Sequence, residues 1–176
     1  KRNSYQVEKR YVHRDGRVHW MRQSISAVRD AAGKVLYLVG IAEDIDERKR
    51  ALEELRASEA RFKAVFDNAA VGVAMMTLDR RIVQINPTVT RITGYSAGEI
   101  LNLDPSDMVV PEDRTIDRVL FLELVAGQRD QYLIEKRYLR RDGSQFWGRI
   151  NFALVREARG EPLYIFGMIE DITEEK

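Results

Sequence analysis

Cysteine is absent from the 176 residues. That excludes disulfides, cysteine-ligated zinc, iron–sulfur clusters and thiol chemistry within this stretch. Histidine is scarce: His13 and His19 are the two copies, so residues 60–176 carry none. General acid–base catalysis therefore lacks its commonest agent there. No Gly-rich phosphate loop, nucleophile elbow or metal-spaced cluster is present. Glu99, Glu112, Asp113 and Asp117 fall where helix ends or solvated faces account for them. The reading is a chain without enzymatic activity of its own. Charge of one sign is also lacking, with 29 basic against 28 acidic residues. No global field favours nucleic acid or an anionic membrane. The longest apolar runs, such as Leu36–Ala42, are too short to span a bilayer. No signal peptide is visible and the chain opens on Lys1, so it reads as an excerpt of a longer, cytoplasmic protein.

What is present is an internal repeat. Tyr5–Trp20 matches Tyr132–Trp147, and the same 127-residue offset pairs Gly33 with Gly160, Gly40 with Gly167 and Glu43-Asp44-Ile45 with Glu170-Asp171-Ile172. Roughly half of the aligned residues are identical, and the period is that of a domain rather than a solenoid repeat. The first copy is represented only by its C-terminal part. The division reads as residues 1–46 from a truncated unit, a helical linker over 46–68, and a complete unit over 69–176.

Tyr5–Arg14 and Gln131–Arg141 are predicted strands that end in Arg-Asp-Gly, where Gly accepts positive φ in a hairpin turn. Return strands follow over 18–29 and 145–157, then third strands over 35–43 and 163–170. Each copy thus closes in a three-stranded meander. Asp46 to Asn68 reads as one helix. Ile45, Leu52, Leu55, Phe62 and Phe66 form an a/d stripe with Glu59 at an a-type position, and Glu59 is poised to pair with Lys63. A coiled coil and packing on the chain's own domain both fit that stripe. A hairpin through Leu78-Asp79-Arg80 comes next. Asn86 caps a helix with Pro87 at its first position, Gly94 stops it, and Ser96 with Glu99 forms a capping box. Pro111 opens a longer helix running to Ala126.

This order, together with Asn86-Pro87, Thr93-Gly94-Tyr95-Ser96, Arg141-Asp142-Gly143-Ser144, Trp147, Gly160 and Glu170-Asp171-Ile172-Thr173-Glu174, resembles the PAS family with its C-terminal PAC motif. The resemblance covers about residues 60–176 as a whole domain and 1–46 as the last three strands of another. It implies an α+β fold: a five-stranded antiparallel sheet in order 2-1-5-4-3 with helices on one face. It places any ligand between that sheet and the helices.

Within that frame Phe146, Gly148, Ile150 and Phe152 share one face of their strand. With Val73, Met75, Ile85, Val119, Leu120, Ile134, Ile165, Gly167 and Ile169 they line either a filled core or a pocket for a small apolar ligand. No cofactor is expected. A haem would need an axial ligand that the helix over 115–126 lacks, and Met108 reads as core filler. A cysteinyl flavin is excluded. Gly148 and Ile169, which stand where flavin-binding relatives contact the flavin amide, offer no hydrogen-bonding side chain. A flavin-type redox sensor remains an alternative reading. Lys136 interrupts the apolar face of its strand. His19 aligns with Phe146 and points inward, whereas His13 is solvated.

Trp147 and Trp20 fall on the outer sheet face, an interaction patch that Phe62 and Phe66 could cover or a second chain could bury. A homodimer through the linker helix and this face is one expectation. Pairing of residues 1–46 with another chain is a second, because three strands alone leave a core face open. The resemblance also implies relay: Asp44-Ile45 and Asp171-Ile172-Thr173 match the family's strand-to-helix exit. That makes the chain a sensory relay ahead of an effector, a histidine kinase or a cyclic-dinucleotide enzyme, lying outside it.

Overall fold

The computed structural model describes residues 4–176, so the first three residues of the expected 1–46 unit lie outside it. Two compact units are present, Lys1–Arg61 and Phe62–Lys176. The first is a meander of β1 (Ser4–Val12), β2 (Val18–Arg29) and β3 (Val35–Asp44), in that spatial order. From β3 the chain runs into helix α1 (Asp46–Asn68). Leu36, Leu38 and Ile41 of β3 are exposed, so this sheet keeps an uncovered apolar surface.

The second unit contains β4 (Gly72–Met76), β5 (Ile82–Ile85), α2 (Pro87–Thr93), α3 (Ala97–Ile100), α4 (Arg118–Val125), β6 (Gln131–Leu139), β7 (Gln145–Arg156) and β8 (Pro162–Asp171). Its sheet is antiparallel throughout and ordered β5-β4-β8-β7-β6, the expected 2-1-5-4-3. The local signals behave as read. Asn86 caps α2 through Val89 N–H, Gly94 ends it at φ 75°, and Ser96 with Glu99 closes a capping box on α3.

Five hairpin-type turns share one hydrogen-bond pattern. They begin at His13, Asp30, Thr77, Arg140 and Glu157, and in each the fourth residue donates its N–H back to the first carbonyl. That fourth residue must be left-handed, and four of the five are glycines: Gly16, Gly33, Gly143 and Gly160. The fifth is Arg80, at φ 69°. A left-handed residue with a Cβ costs about 1–2 kcal/mol, so something else must hold Arg80 there.

Three expectations fail in the helical segments. The predicted helix from Pro111 to Ala126 is broken. A short 3-10 turn at Pro111–Asp113 is followed by irregular chain, and α4 starts only at Arg118. Asp113 and Asp117, expected at helix ends or on solvated faces, are buried. The cause is tertiary. Asp113 turns inward to accept from the backbone N–H and guanidinium of Arg137 on β6, at 2.9, 3.0 and 2.7 Å. In α1, Lys63 pairs with Asp67 at 2.7 Å rather than with Glu59.

The core lies between the concave sheet face and α2–α4. Phe146, Ile165, Phe152, Ile100, Leu124 and Phe121 are among its buried apolar members.

Candidate functional site

A cavity of about 70 Å³ sits in that core, between the sheet and the chain over 89–109. Four of the expected residues line it: Ile150, Phe152, Gly167 and Ile169. Phe146 and Ile165 are buried in the same core without reaching the cavity, while Ile85, Leu120 and Ile134 pack at its margin. Gly148 is buried, and a Cβ there would meet the Tyr138 ring at 2.7 Å. The glycine is needed because that ring occupies the space a side chain would take.

Val73, Met75 and Val119 do not belong to the lining. Directly paired residues of adjacent strands share a face. Ala74 lies opposite Gly167 and Met76 opposite Ile165, both inward, so Val73 opposite Met168 and Met75 opposite Phe166 turn to the other face. Ala74 and Met76 line the cavity in their place. Val119 is 66% exposed. Because α4 buries Phe121 and Leu124, one turn apart, Val119 and Leu122 fall on its outer side.

Part of this wall is polar, and it holds the Lys136 that the sequence singles out together with partners that the sequence does not show. Lys136 and Arg80 both line the cavity. Lys136 is 2% exposed, and its Nζ lies 3.2 Å from Asp117 Oδ2; Asp117 is fully buried. The Tyr132 hydroxyl donates to the same oxygen at 3.1 Å, and Arg80 Nη2 stands 3.6 Å from it. The Arg80 guanidinium also stacks on the Phe121 ring at 4.3 Å, which helps to hold its strained turn position. Burial pushes the Lys136 ammonium below its usual value, although Asp117 opposes the shift. Burial, reinforced by Asp117, pushes the Tyr132 hydroxyl up. Among the described residues, Asp117 Oδ1 meets no hydrogen-bond partner. The one available signal was a lysine at an inward position of a strand. Its counter-ion, nineteen residues earlier in an irregular segment, left no periodic trace.

The second feature is the end of the sheet. Ile45 and Ile172 are buried, at 2% and 1% exposure. Ile45 N–H donates to Trp20 O at 2.9 Å, and Ile172 N–H to Trp147 O at 2.8 Å. Asp44 accepts from Asp46 N–H at 2.9 Å, just as Asp171 accepts from Thr173 N–H at 3.0 Å. Asp46 then accepts from Trp20 N–H, and Thr173 Oγ1 from Trp147 N–H. Both repeats thus close their exits with the same bonds.

In the second unit Arg140 ties this exit to the helices. It reaches the Ile92 carbonyl at the end of α2, pairs with Asp171 at 2.6 Å, and stacks on Phe146 at 4.5 Å. Burial alone would raise the Asp171 carboxyl, but the Thr173 and Arg140 hydrogen bonds outweigh it and hold the group below the usual range. Val89 and Thr93 of α2 line the cavity, so one short helix touches both features.

The remaining expected relay residues lie on α1 and the outer sheet face. Phe66 is buried and stacks on Phe62 at 5.6 Å. Leu52, Leu55, Glu59 and Phe62 are exposed. Trp147 is half-buried on the outer face, with Lys176 Nζ 5.2 Å over its ring. Ion pairs also cross the strands: Arg149 bonds Glu135 at 2.9 Å and, beyond the sheet, Glu175 at 3.0 Å, while in the first unit Arg22 bonds Glu8 and Glu43 at 3.2 Å each. His19 contacts Asp46 at 3.1 Å and Asp44 at 3.6 Å. No helix of the described residues is long and apolar enough to cross a membrane.

Comparison with known proteins agrees with this architecture. The PAS fold sequence profile matches residues 60–172, and a second PAS fold profile matches residues 1–42. Sensor histidine kinase TmoS of Ectopseudomonas mendocina is 35% identical over 122 residues, which are 69% of this chain and 12% of that protein. The probable diguanylate cyclase DgcE of Escherichia coli K12 is 34% identical over 130 residues, 74% of this chain and 11% of that protein. The chain therefore spans only about a tenth of the length of these relatives. Among solved structures, a PAS domain from Colwellia psychrerythraea superimposes with a TM-score of 0.60 at 20% identity, covering 65% of this chain and 97% of that one. With a matched sequence profile over residues 60–172, a sheet ordered 2-1-5-4-3 and helices folded over its concave face, the chain belongs to the PAS fold family.

Proposed function

We propose that this chain is a sensory and relay segment of a larger signalling protein. In this reading the cavity of the second unit receives the stimulus, and α2 passes it through Arg140 to Asp171 and the exit at Ile172-Thr173. The observation that carries the reading is the Arg140 bridge, one side chain bonded both to the Ile92 carbonyl of α2 and to Asp171. A helix that moves by a fraction of an ångström at the cavity must stretch or break that bridge.

The domain plan is tandem: residues 1–46 end one PAS unit, 46–68 link, and 69–176 form the next. Support for a relaying linker comes from the matching exits, because Asp44-Ile45-Asp46 leads straight into α1. Leu52, Leu55 and Phe62 leave an exposed apolar stripe on that helix. Such a stripe suits a homodimer through the linker, with the outer sheet face around Trp147 adding to the contact, and residues 1–46 gaining cover from a second chain. The effector lies outside residues 1–176 in the cytoplasm, and it also supplies the catalysis. Likeness to TmoS favours a histidine kinase. Likeness to DgcE at nearly the same identity keeps a second reading, a dimerisation scaffold for a cyclic-dinucleotide enzyme. A flavin-type redox sensor finds no support in the residues lining the cavity.

Two variants of the full-length protein test relay. Arg140→Gln should uncouple the effector from its stimulus while leaving basal output intact. Glu59→Leu should lock the linker coil and fix output at one level. Stimulus-dependent output that survives both changes refutes the relay.

A further inference from the structure

The cavity has a chemistry of its own, and the ligand class it selects rests on the sensory reading and deepens it. Most of its wall is aliphatic or aromatic. Its polar side chains are Arg80, Lys136, Thr93 and Tyr138. The Thr93 hydroxyl is already committed to the Val89 carbonyl at 2.8 Å. Two cations therefore face the cavity, and a single oxygen, Asp117 Oδ2, answers both of them, at 3.2 and 3.6 Å. Of the next carboxylates, Asp113 is held by Arg137, and Asp104 accepts from Ser106 while feeling the Arg80 charge without bonding it. A structural ion pair buried this deeply is ordinarily closed on all sides. This one leaves the Lys136 ammonium and the Arg80 guanidinium on the cavity wall with one carboxylate oxygen shared between them.

Arg80 adds an independent indication. Four sister turns use glycine at the position where this arginine accepts φ 69°. Backbone strain of this kind persists where the side chain is required, and this side chain reaches the cavity wall.

Size narrows the ligand further. An apolar cavity of about 150 Å³ accommodates benzene, and a water needs about 10–15 Å³. The volume here, about 70 Å³, is roughly half of the former. We propose that the cavity binds a short-chain monocarboxylate of about two to four carbons, with its carboxylate held by Lys136 and Arg80 and its alkyl end against Ile150, Phe152 and Ile169. Charge-assisted bonds to two cations select the acid. The apolar wall disfavours chloride, phosphate and dicarboxylates, whose second charge would have no partner.

Methyl NMR of the whole chain, titrated with sodium propionate at constant ionic strength made up with sodium chloride, tests this. Saturable shifts are expected at the Ile150, Ile169, Met76 and Met108 methyls. Propionamide and 1-propanol should bind at least tenfold more weakly. Arg80→Gln should weaken propionate at least tenfold, and the paired replacement Lys136→Met with Asp117→Asn, which removes the buried ion pair as a unit, should abolish binding. Propionamide binding as tightly as propionate, or Arg80→Gln without effect, overturns the assignment of an acid. The absence of any saturable shift overturns the ligand class altogether. None of these outcomes touches the Arg140→Gln test, so carboxylate binding and relay fail separately.

Discussion

Removing the Lys136 ammonium should cost this domain far more than removing the whole ion pair. In Lys136→Met, Asp117 stays fully buried. Its remaining partners are the Tyr132 hydroxyl at 3.1 Å and Arg80 at 3.6 Å. Breaking a buried pair on one side typically costs about 3–5 kcal/mol, and the nearby guanidinium puts this case at the lower end. Asp117→Asn strands the lysine instead, which can escape part of the penalty by losing its proton. Lys136→Met combined with Asp117→Asn removes both charges of this pair, and the Asn carbonyl can still accept from Tyr132. The double variant should fall within about 1–2 kcal/mol of the parent.

Urea unfolding followed by Trp147 fluorescence in a Trp20→Phe background isolates the second unit, since each unit holds one tryptophan. Single costs that add within about 0.5 kcal/mol in the double variant would refute the coupling. The pH dependence supplies a second check. The Lys136 ammonium lies below its ordinary 10.5 in the folded chain, chiefly through burial. Between that depressed value and 10.5 the unfolded chain binds more protons, so this lysine makes stability rise with pH. Tyr132 and Tyr138 act oppositely above about pH 10, because burial keeps their hydroxyls protonated when folded. The rise should therefore be sought below pH 10, and it should vanish in Lys136→Met.

Three further outcomes depend on particular atoms. Arg80→Gly should be more stable than Arg80→Ala by about 1–2 kcal/mol in urea titrations, since the two differ mainly in how readily they take the left-handed turn position. Gly148→Ala should destabilise by about 1–3 kcal/mol, because its Cβ would stand 2.7 Å from the Tyr138 ring; Gly98→Ala on α3 meets nothing within 4 Å and should be neutral or mildly stabilising by the same measurement. Arg137→Met should move the acid unfolding midpoint to higher pH. The Arg137 hydrogen bonds hold the Asp113 carboxyl below its usual range, and the stability this confers is present above about pH 4 and lost as pH falls through the depressed folded value.

Much of this architecture was legible because it is written in local, periodic or repeated signals. The Asp-Gly turns, the Asn86 and Ser96 caps and the alternation of Phe146, Gly148, Ile150 and Phe152 each depend on neighbours a few residues away. The repeat let one copy confirm the other, down to the matching exits at Ile45 and Ile172. Short strands defeated the same logic. In β4 both faces are apolar, so Val73 and Met75 looked as fit for the cavity as Ala74 and Met76, and only pairing with β8 decided between them. The outward turn of Val119 likewise waited on where α4 begins.

By itself, then, the amino-acid order settled the family, the strand sequence and the absence of thiol and histidine chemistry in the second unit, since each depends on residue identity or short spacing. Tertiary structure alone decided the electrostatics of the cavity. Lys136, Asp117 and Arg80 come from a strand, an irregular segment and a strained turn, and they meet only when the sheet curves beneath its helices. Periodicity marks only the lysine of this ion pair, because its partners are chosen by distance through the folded interior.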